Sequence, residues 1–222
     1  MSVRLQRDVE KLKKLVISLA ALVEERFRTA IKSVECRDAQ LARTVIDGDI
    51  DIDHREVDIE EECLKILALH QPVADHLRYI VAVLKLNNDL ERIGDLAVNI
   101  AERAEFITKQ NPMEIPFDYV TMSQRAGEML QQSLDSLVHM DLDLAYQVCA
   151  EDDEVDTMKT NMQAQFAQEI RKEDKENVEA LIHLFLISRH LERIADHATN
   201  IAEDVIYMIT GAIHRHKGHQ YK

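Results

Sequence analysis

The chain has 222 residues, 46% of them apolar and only 5% aromatic, with no tryptophan, five glycines and three prolines. That composition excludes a turn-rich sheet protein and suits long helices packed through aliphatic side chains. A formal charge of −14 disfavours nucleic acid and anionic lipid as ligands and favours cations or basic protein surfaces.

From about Val3 to Cys36, the residues Leu5, Val9, Leu12, Val16, Leu19, Val23, Phe27, Ala30 and Val34 recur at intervals of four and three. They predict a first helix with one apolar face. Asp38 caps a second helix from about Ala39 to Leu69, which Gln71-Pro72 ends, and a third runs to about Lys109. The segment Asn111-Pro-Met-Glu-Ile-Pro-Phe117 reads as a linker. The pattern then repeats as helices from about Asp118 to Val138, Asp141 to Arg171 and Asp174 to Thr210, with Gly211 as C-cap. The expected fold is all-α, with two tandem antiparallel three-helix bundles, 1–111 and 112–213, related by a pseudo-twofold internal repeat. Residues 214–222 are expected to form a frayed, histidine-rich tail.

Cys36, Cys63 and Cys149 suggest neither a disulfide framework nor a thiolate zinc site, which favours reducing cytoplasm. Arg4, Arg7, Asp8 and Glu10 interrupt any N-terminal signal, and the uncharged run Leu15 to Val23 is too short to span a bilayer. A soluble, cytoplasmic protein is expected.

Thirteen residues, 90–102 and 191–203, recur 101 positions apart with ten identities (Leu-Glu-Arg-Ile-Gly-Asp-Leu-Ala-Val-Asn-Ile-Ala-Glu and Leu-Glu-Arg-Ile-Ala-Asp-His-Ala-Thr-Asn-Ile-Ala-Glu). Core packing alone would preserve the apolar positions and let the polar ones drift. In the third helix Val83, Leu86, Leu90, Ile93, Ala97, Ile100, Ala104 and Ile107 form a bundle seam. Beside it lies a polar stripe of Glu91, Asp95, Asn99 and Glu102. The sixth helix repeats both, with Ile187, Leu191, Ile194, Ala198, Ile201 and Val205 beside Glu192, Asp196, Asn200 and Glu203.

The second and fifth helices carry matching acid pairs, Asp49/Asp53 and Asp152/Asp156, in or beside their own seams. Each half thus offers four carboxylates from two neighbouring helices. Carboxylates four apart on a helix lie about 5–6 Å apart at Cβ and repel. Gathering four without a counter-charge is unfavourable. Divalent or multinuclear metal ions with an affinity for oxygen (Mg, Mn, Fe or Zn) supply one. The competing reading is a solvated acidic face paired with Arg92 and Arg193.

These segments resemble the PhoU family, regulators associated with bacterial phosphate transport. The resemblance covers nearly the whole chain. It rests on Glu91-Arg-Ile-Gly-Asp95…Asn99-Ile, Glu192-Arg-Ile-Ala-Asp196…Asn200-Ile, the Gln71-Pro72…Leu77-Arg78 turn and Ala202-Glu-Asp-Val-Ile-Tyr207…Gly211. It implies metal sites on Asp49, Asp53, Glu91, Asp95, Asp152, Asp156, Glu192 and Asp196, with Asn99, Glu102, Asn200 and Glu203 as weaker additions. It also implies a cytoplasmic, usually dimeric adaptor between a phosphate ABC transporter ATPase and a sensor histidine kinase, reaching the membrane only through those partners. Such a protein represses signalling and uptake when phosphate is plentiful.

Three departures stand out. His76 occupies a position where the family usually has Asp, with Asp75 one place earlier. Lys159 replaces the acid that Glu56 supplies in the first half, which lowers the negative charge of the second site. His190 and His197 flank the second motif and have no histidine counterpart in the first; they read as ordinary surface or satisfied, partly buried histidines. Gly48 reads as a mild kink, with close backbone approach as the alternative. Met122, Met129, Met140, Met158, Met162 and Met208 read as core filler, and Glu60-Glu61-Glu62 as solvated. No phosphate loop, catalytic triad signature or activated cysteine occurs. A non-catalytic regulator is therefore expected. The rival readings are a metal-dependent enzyme or metal-storage protein built on the carboxylates, and a purely structural scaffold.

Overall fold

The apolar stripes fold into helix seams, as the computed structural model shows for residues 3–111, 118–171 and 178–213. Seven helices, and no strand, occur among these described residues: α1 (Val3–Glu35), α2 (Ala39–Asp47), α3 (Asp49–His70), α4 (Ala74–Thr108), α5 (Tyr119–His139), α6 (Leu142–Glu169) and α7 (Val178–Thr210). Every seam position named above on α1, α4 and α7 is buried. A fully buried Leu or Ile contributes roughly 1.5–3 kcal/mol by leaving water, so these seams dominate the stability of each half.

The single helix expected from Ala39 to Leu69 is two helices, because it breaks at Gly48 (φ −89°, ψ 0°). A Cβ there would lie 2.5 Å from the Arg26 guanidinium, which spans the break. Arg26 donates to the Thr44 carbonyl (3.3 Å) and pairs with Asp51 (3.6 Å). Both readings of Gly48, kink and close approach, therefore hold. The apolar periodicity runs through the break, which is why the sequence reads as continuous.

The remaining ends follow local chemistry. Asp38, Asp118 and Asp141 accept backbone N–H groups of the turns they open, as N-caps do. Gln71 ends α3 in a left-handed conformation (φ 44°), and α4 starts beyond Pro72, at Ala74. Gly211 closes α7 at φ +74°, with its N–H bonded to the Tyr207 carbonyl.

Two readings are corrected. Met140 is exposed at the C-cap of α5 (φ 51°) and fills no core, whereas Met122, Met129, Met162 and Met208 are buried. Glu62 is buried, held by Lys11 (2.6 Å) and Lys65 (3.4 Å). The linker residues 112–117, the expected helix start at 174–177 and the tail 214–222 lie outside the described residues. No described helix is long and apolar enough to cross a membrane.

α1 packs with α2, α3 and α4 to make the first half, and α5, α6 and α7 make the second. The halves meet along α4 against α7 and α1 against α5. Across the α4/α7 contact, Lys85 faces Asp204 (3.6 Å), Asp89 meets His197 (2.7 Å) and Phe106 stacks on His183 (3.8 Å between centroids). Numbers rise on α4 as they fall on α7, so the two helices cross antiparallel, as copies related by a twofold perpendicular to them must.

Candidate functional site

In the first half, α3 and α4 bring their acids into one electrostatic neighbourhood. Asp49 opens α3, where the helix N-terminus favours a carboxylate. Desolvation nevertheless raises its pKa, with Asp53 and Asp95 adding to the effect. Desolvation also raises Glu91, followed by Asp95, with Arg92 opposing and Glu56 and Asp53 reinforcing. Glu56 is raised as well, by desolvation and then by Glu60 and Asp53. Arg92 pairs with Glu91 (3.3 Å) and Asp95 (3.0 Å), part of the neutralisation expected of a solvated face. It leaves one gap: Asp49 Oδ1 is buried and accepts no hydrogen bond.

The second half repeats the arrangement on α6 and α7 with different local chemistry. Desolvation raises Asp152, and Asp156, Asp153 and Glu192 add to the effect. Asp196 keeps an exposed edge yet is pushed up to about 6, first by desolvation and then by Glu192, Asp152 and Asp156, with His197 opposing. Here the protein supplies partners of its own. Thr199 donates to Asp152 (3.2 Å), and Lys159 closes on Glu192. The corresponding positions of the first half are Val98 and Glu56, neither of which can donate.

All eight primary acids thus sit where the sequence places them, four per half on adjacent helices. As the side chains stand, no three acids, histidines or cysteines among the described residues converge on a common ion position. The donor set still fits a hard divalent cation, since it is all oxygen and includes an orphaned buried carboxylate oxygen at Asp49. The weaker candidates are placed differently. Asn99 donates back to the Asp95 carbonyl (2.8 Å), Glu102 is exposed, and Glu203 lies near Cys149. Asn200 turns away from its own cluster towards Asp89 of the other half (3.2 Å).

Set beside known proteins, the chain matches the PhoU domain family model twice, over residues 16–104 and 119–205. The chain belongs to the PhoU family. It is 37% identical over 210 residues to the phosphate-specific transport system accessory protein PhoU homolog 1 of Thermotoga maritima, covering 94% of this chain and 90% of that one. It is 39% identical over 214 residues to the corresponding homolog of Aquifex aeolicus, covering 96% of each. The crystal structure of PhoU from Pseudomonas aeruginosa superposes with a TM-score of 0.89 at 33% identity, over 93% of this chain and 99% of that one.

One constellation in this PhoU-family chain escapes the sequence pattern. Asp89 is buried and accepts from both His197 (2.7 Å) and Asn200 (3.2 Å), binding α4 to α7. His197 is thereby a satisfied side chain, as expected. His190 is not: its ring nitrogens are buried without hydrogen-bond partners. Its pKa falls to about 4 by desolvation, with Arg103, Arg193 and Arg189 adding. The sequence signal for Asp89 is slight, a single acid next to a seam leucine, and its partners lie more than a hundred positions away.

Proposed function

We propose that this chain is a non-catalytic accessory protein of a phosphate-specific transport system, regulating phosphate uptake and the phosphate-starvation response. The observation that carries this reading is the twofold family match, which includes both acidic motifs, to relatives named as accessory proteins of that system. In this reading the protein works by docking. It acts in the cytoplasm as an adaptor, itself a homodimer, between the transporter ATPase and a sensor histidine kinase, and represses both signalling and uptake when phosphate is plentiful.

Metal has a structural place in this reading. Asp49, Asp53, Glu91 and Asp95 would hold a divalent cation in the first half, and Asp152, Asp156, Glu192 and Asp196 in the second. The ion would supply the positive charge that lets the α3/α4 and α6/α7 pairs approach. The unpartnered oxygen of Asp49 supports the first site, while Lys159 and Thr199 already meet part of that need in the second.

Deleting the gene in its host and assaying alkaline phosphatase in phosphate-rich medium tests the proposal. Derepressed activity is expected; unchanged repression refutes a regulatory role.

A further inference from the structure

On α3, Ile50, Val57 and Leu64 are 57%, 49% and 54% exposed. They are spaced by sevens, on the face opposite the buried Ile52, Ile59 and Ile66. Residues seven apart drift only about 20° around a helix, so the three side chains form one outward line. At 1.5 Å per residue the line is about 21 Å long. His54 and Glu61 border it on one side and Asp53 and Glu60 on the other, with Asp58 a step further round. Beside its far end a groove of about 670 Å³ opens between α1 and α3, lined by Leu15 and Leu64 with Asp58 and Glu61. The lysines at that groove, Lys11 and Lys65, are already engaged by Glu62.

The internal repeat provides a comparison within the molecule. The seams of α3 and α6 align Asp49 with Asp152 and Ile52 with Val155, so Ile50, Val57 and Leu64 correspond to Asp153, Thr160 and Ala167. Those three positions are also exposed, and none carries a large apolar side chain. The exposed site is thus common to both halves, while the apolar line belongs to the first alone. Single exposed apolar residues need no explanation, but three in heptad register form one line that a facing helix can cover.

We infer that the outer face of α3, centred on Ile50, Val57 and Leu64, is a docking seam for a basic amphipathic helix of a partner protein. The inference rests on the docking reading above and gives it a location. Heptad spacing selects a helix, whose own apolar residues interleave with these three. Charge selects the sign, because acids border the line on both sides and lysines or arginines at the flanking positions of the incoming helix would meet them. A second copy of this chain presents the same acids and is repelled, as is an anionic membrane surface.

The test uses the full-length protein and a fluorescein-labelled 21-residue synthetic helix with leucine at its heptad core positions and lysine at the flanks. Its control carries glutamate in place of every lysine. By fluorescence anisotropy the lysine peptide is expected to bind and the glutamate peptide not. The Val57→Ser/Leu64→Ser variant, both positions being solvent-facing, should bind at least tenfold more weakly with an unchanged thermal melt. Thr160→Ala, on α6, should bind as the parent does. Equal binding of the two peptides, or equal binding by the parent and the serine variant, overturns the seam. So does loss of self-association in the serine variant by sedimentation, which would make a second copy the occupant. In the host, that variant should derepress alkaline phosphatase as the deletion does. Repression retained by the variant but lost in the deletion overturns the seam and leaves the accessory role standing; repression retained in the deletion overturns the accessory role, and the peptide data still decide the seam.

Discussion

Lys159 of α6 reaches the Glu192 carboxylate of α7, whereas its counterpart Glu56 is itself an acid and accepts from the Asn87 amide (3.1 Å). The two carboxylate clusters are therefore not equivalent. One receives a cation from the opposite helix, Lys159, and the other relies on Arg92, a neighbour on α4 of the Glu91 and Asp95 it pairs with. Divalent metal should load the first half before the second. Elemental analysis after dialysis, with calorimetric Mn²⁺ titration, should show Asp95→Asn losing the tighter ion. Lys159→Glu should strengthen the weaker site by tenfold or more. Equal affinities in both halves, unchanged by Lys159→Glu, would refute the asymmetry.

Gly94 and Ile52 form a matched pair. A Cβ on Gly94 would lie 2.9 Å from Ile52 Cδ1. The second half carries Ala195 and Val155 at these places, exchanging a methyl from one side of the contact to the other. Gly94→Ala should destabilise by about 1–3 kcal/mol through overpacking. Ile52→Val in the same chain should recover most of that loss, although alone it costs about 0.5–1.5 kcal/mol. A double-mutant cycle in urea measures the coupling, and additive effects would show that the two do not press on each other.

The raised pKa of Asp196, about 6 against an ordinary 3.8, means that the folded chain holds this proton more tightly than the unfolded chain does. Its handicap to folding is therefore absent below pH about 4 and complete above pH about 6. In metal-free protein, Asp196→Asn should raise the urea midpoint at pH 7, and this advantage should vanish as pH falls towards 4. The difference between variant and parent is the quantity to read. His190, lowered to about 4, works in the opposite sense by destabilising the parent as pH falls below 6.5. An advantage that is constant with pH would remove the electrostatic account of Asp196.

Asp89→Ala should leave His197 and the Asn200 amide without their shared acceptor at the junction of the halves. Stranding a fully buried polar group costs about 1–3 kcal/mol; His197 is half-buried and Asn200 exposed, so the loss of stability read in urea should fall at the lower end of that range. Asp89→Asn, which keeps one oxygen, should lose less. Indifference to both would mean that solvent replaces Asp89 freely.

The fold was legible because each seam is a long run of regular spacing on its own helix, as in Val83 to Ile107 on α4. The placement of the eight acids on neighbouring helices was legible for the same reason, the acids being repeated in register. What escaped depends on groups far apart in sequence. Glu62 reads as one of three solvated glutamates until Lys11 is brought beside it. The break at Gly48 is hidden because Val45, Asp49 and Ile52 keep their spacing across it. Asp89 and Asn200 find each other only once the halves are packed.

The antiparallel crossing of α4 and α7 has a wider implication. In a symmetric pair of separate subunits every change at the contact is imposed twice, once from each side. Two copies joined in one chain escape that obligation. Asp89 meets His197 on one flank, while the corresponding positions of the other copies hold His190 and Leu96, which cannot form that bond. Covalent fusion thus lets each copy specialise while the shared architecture stays fixed.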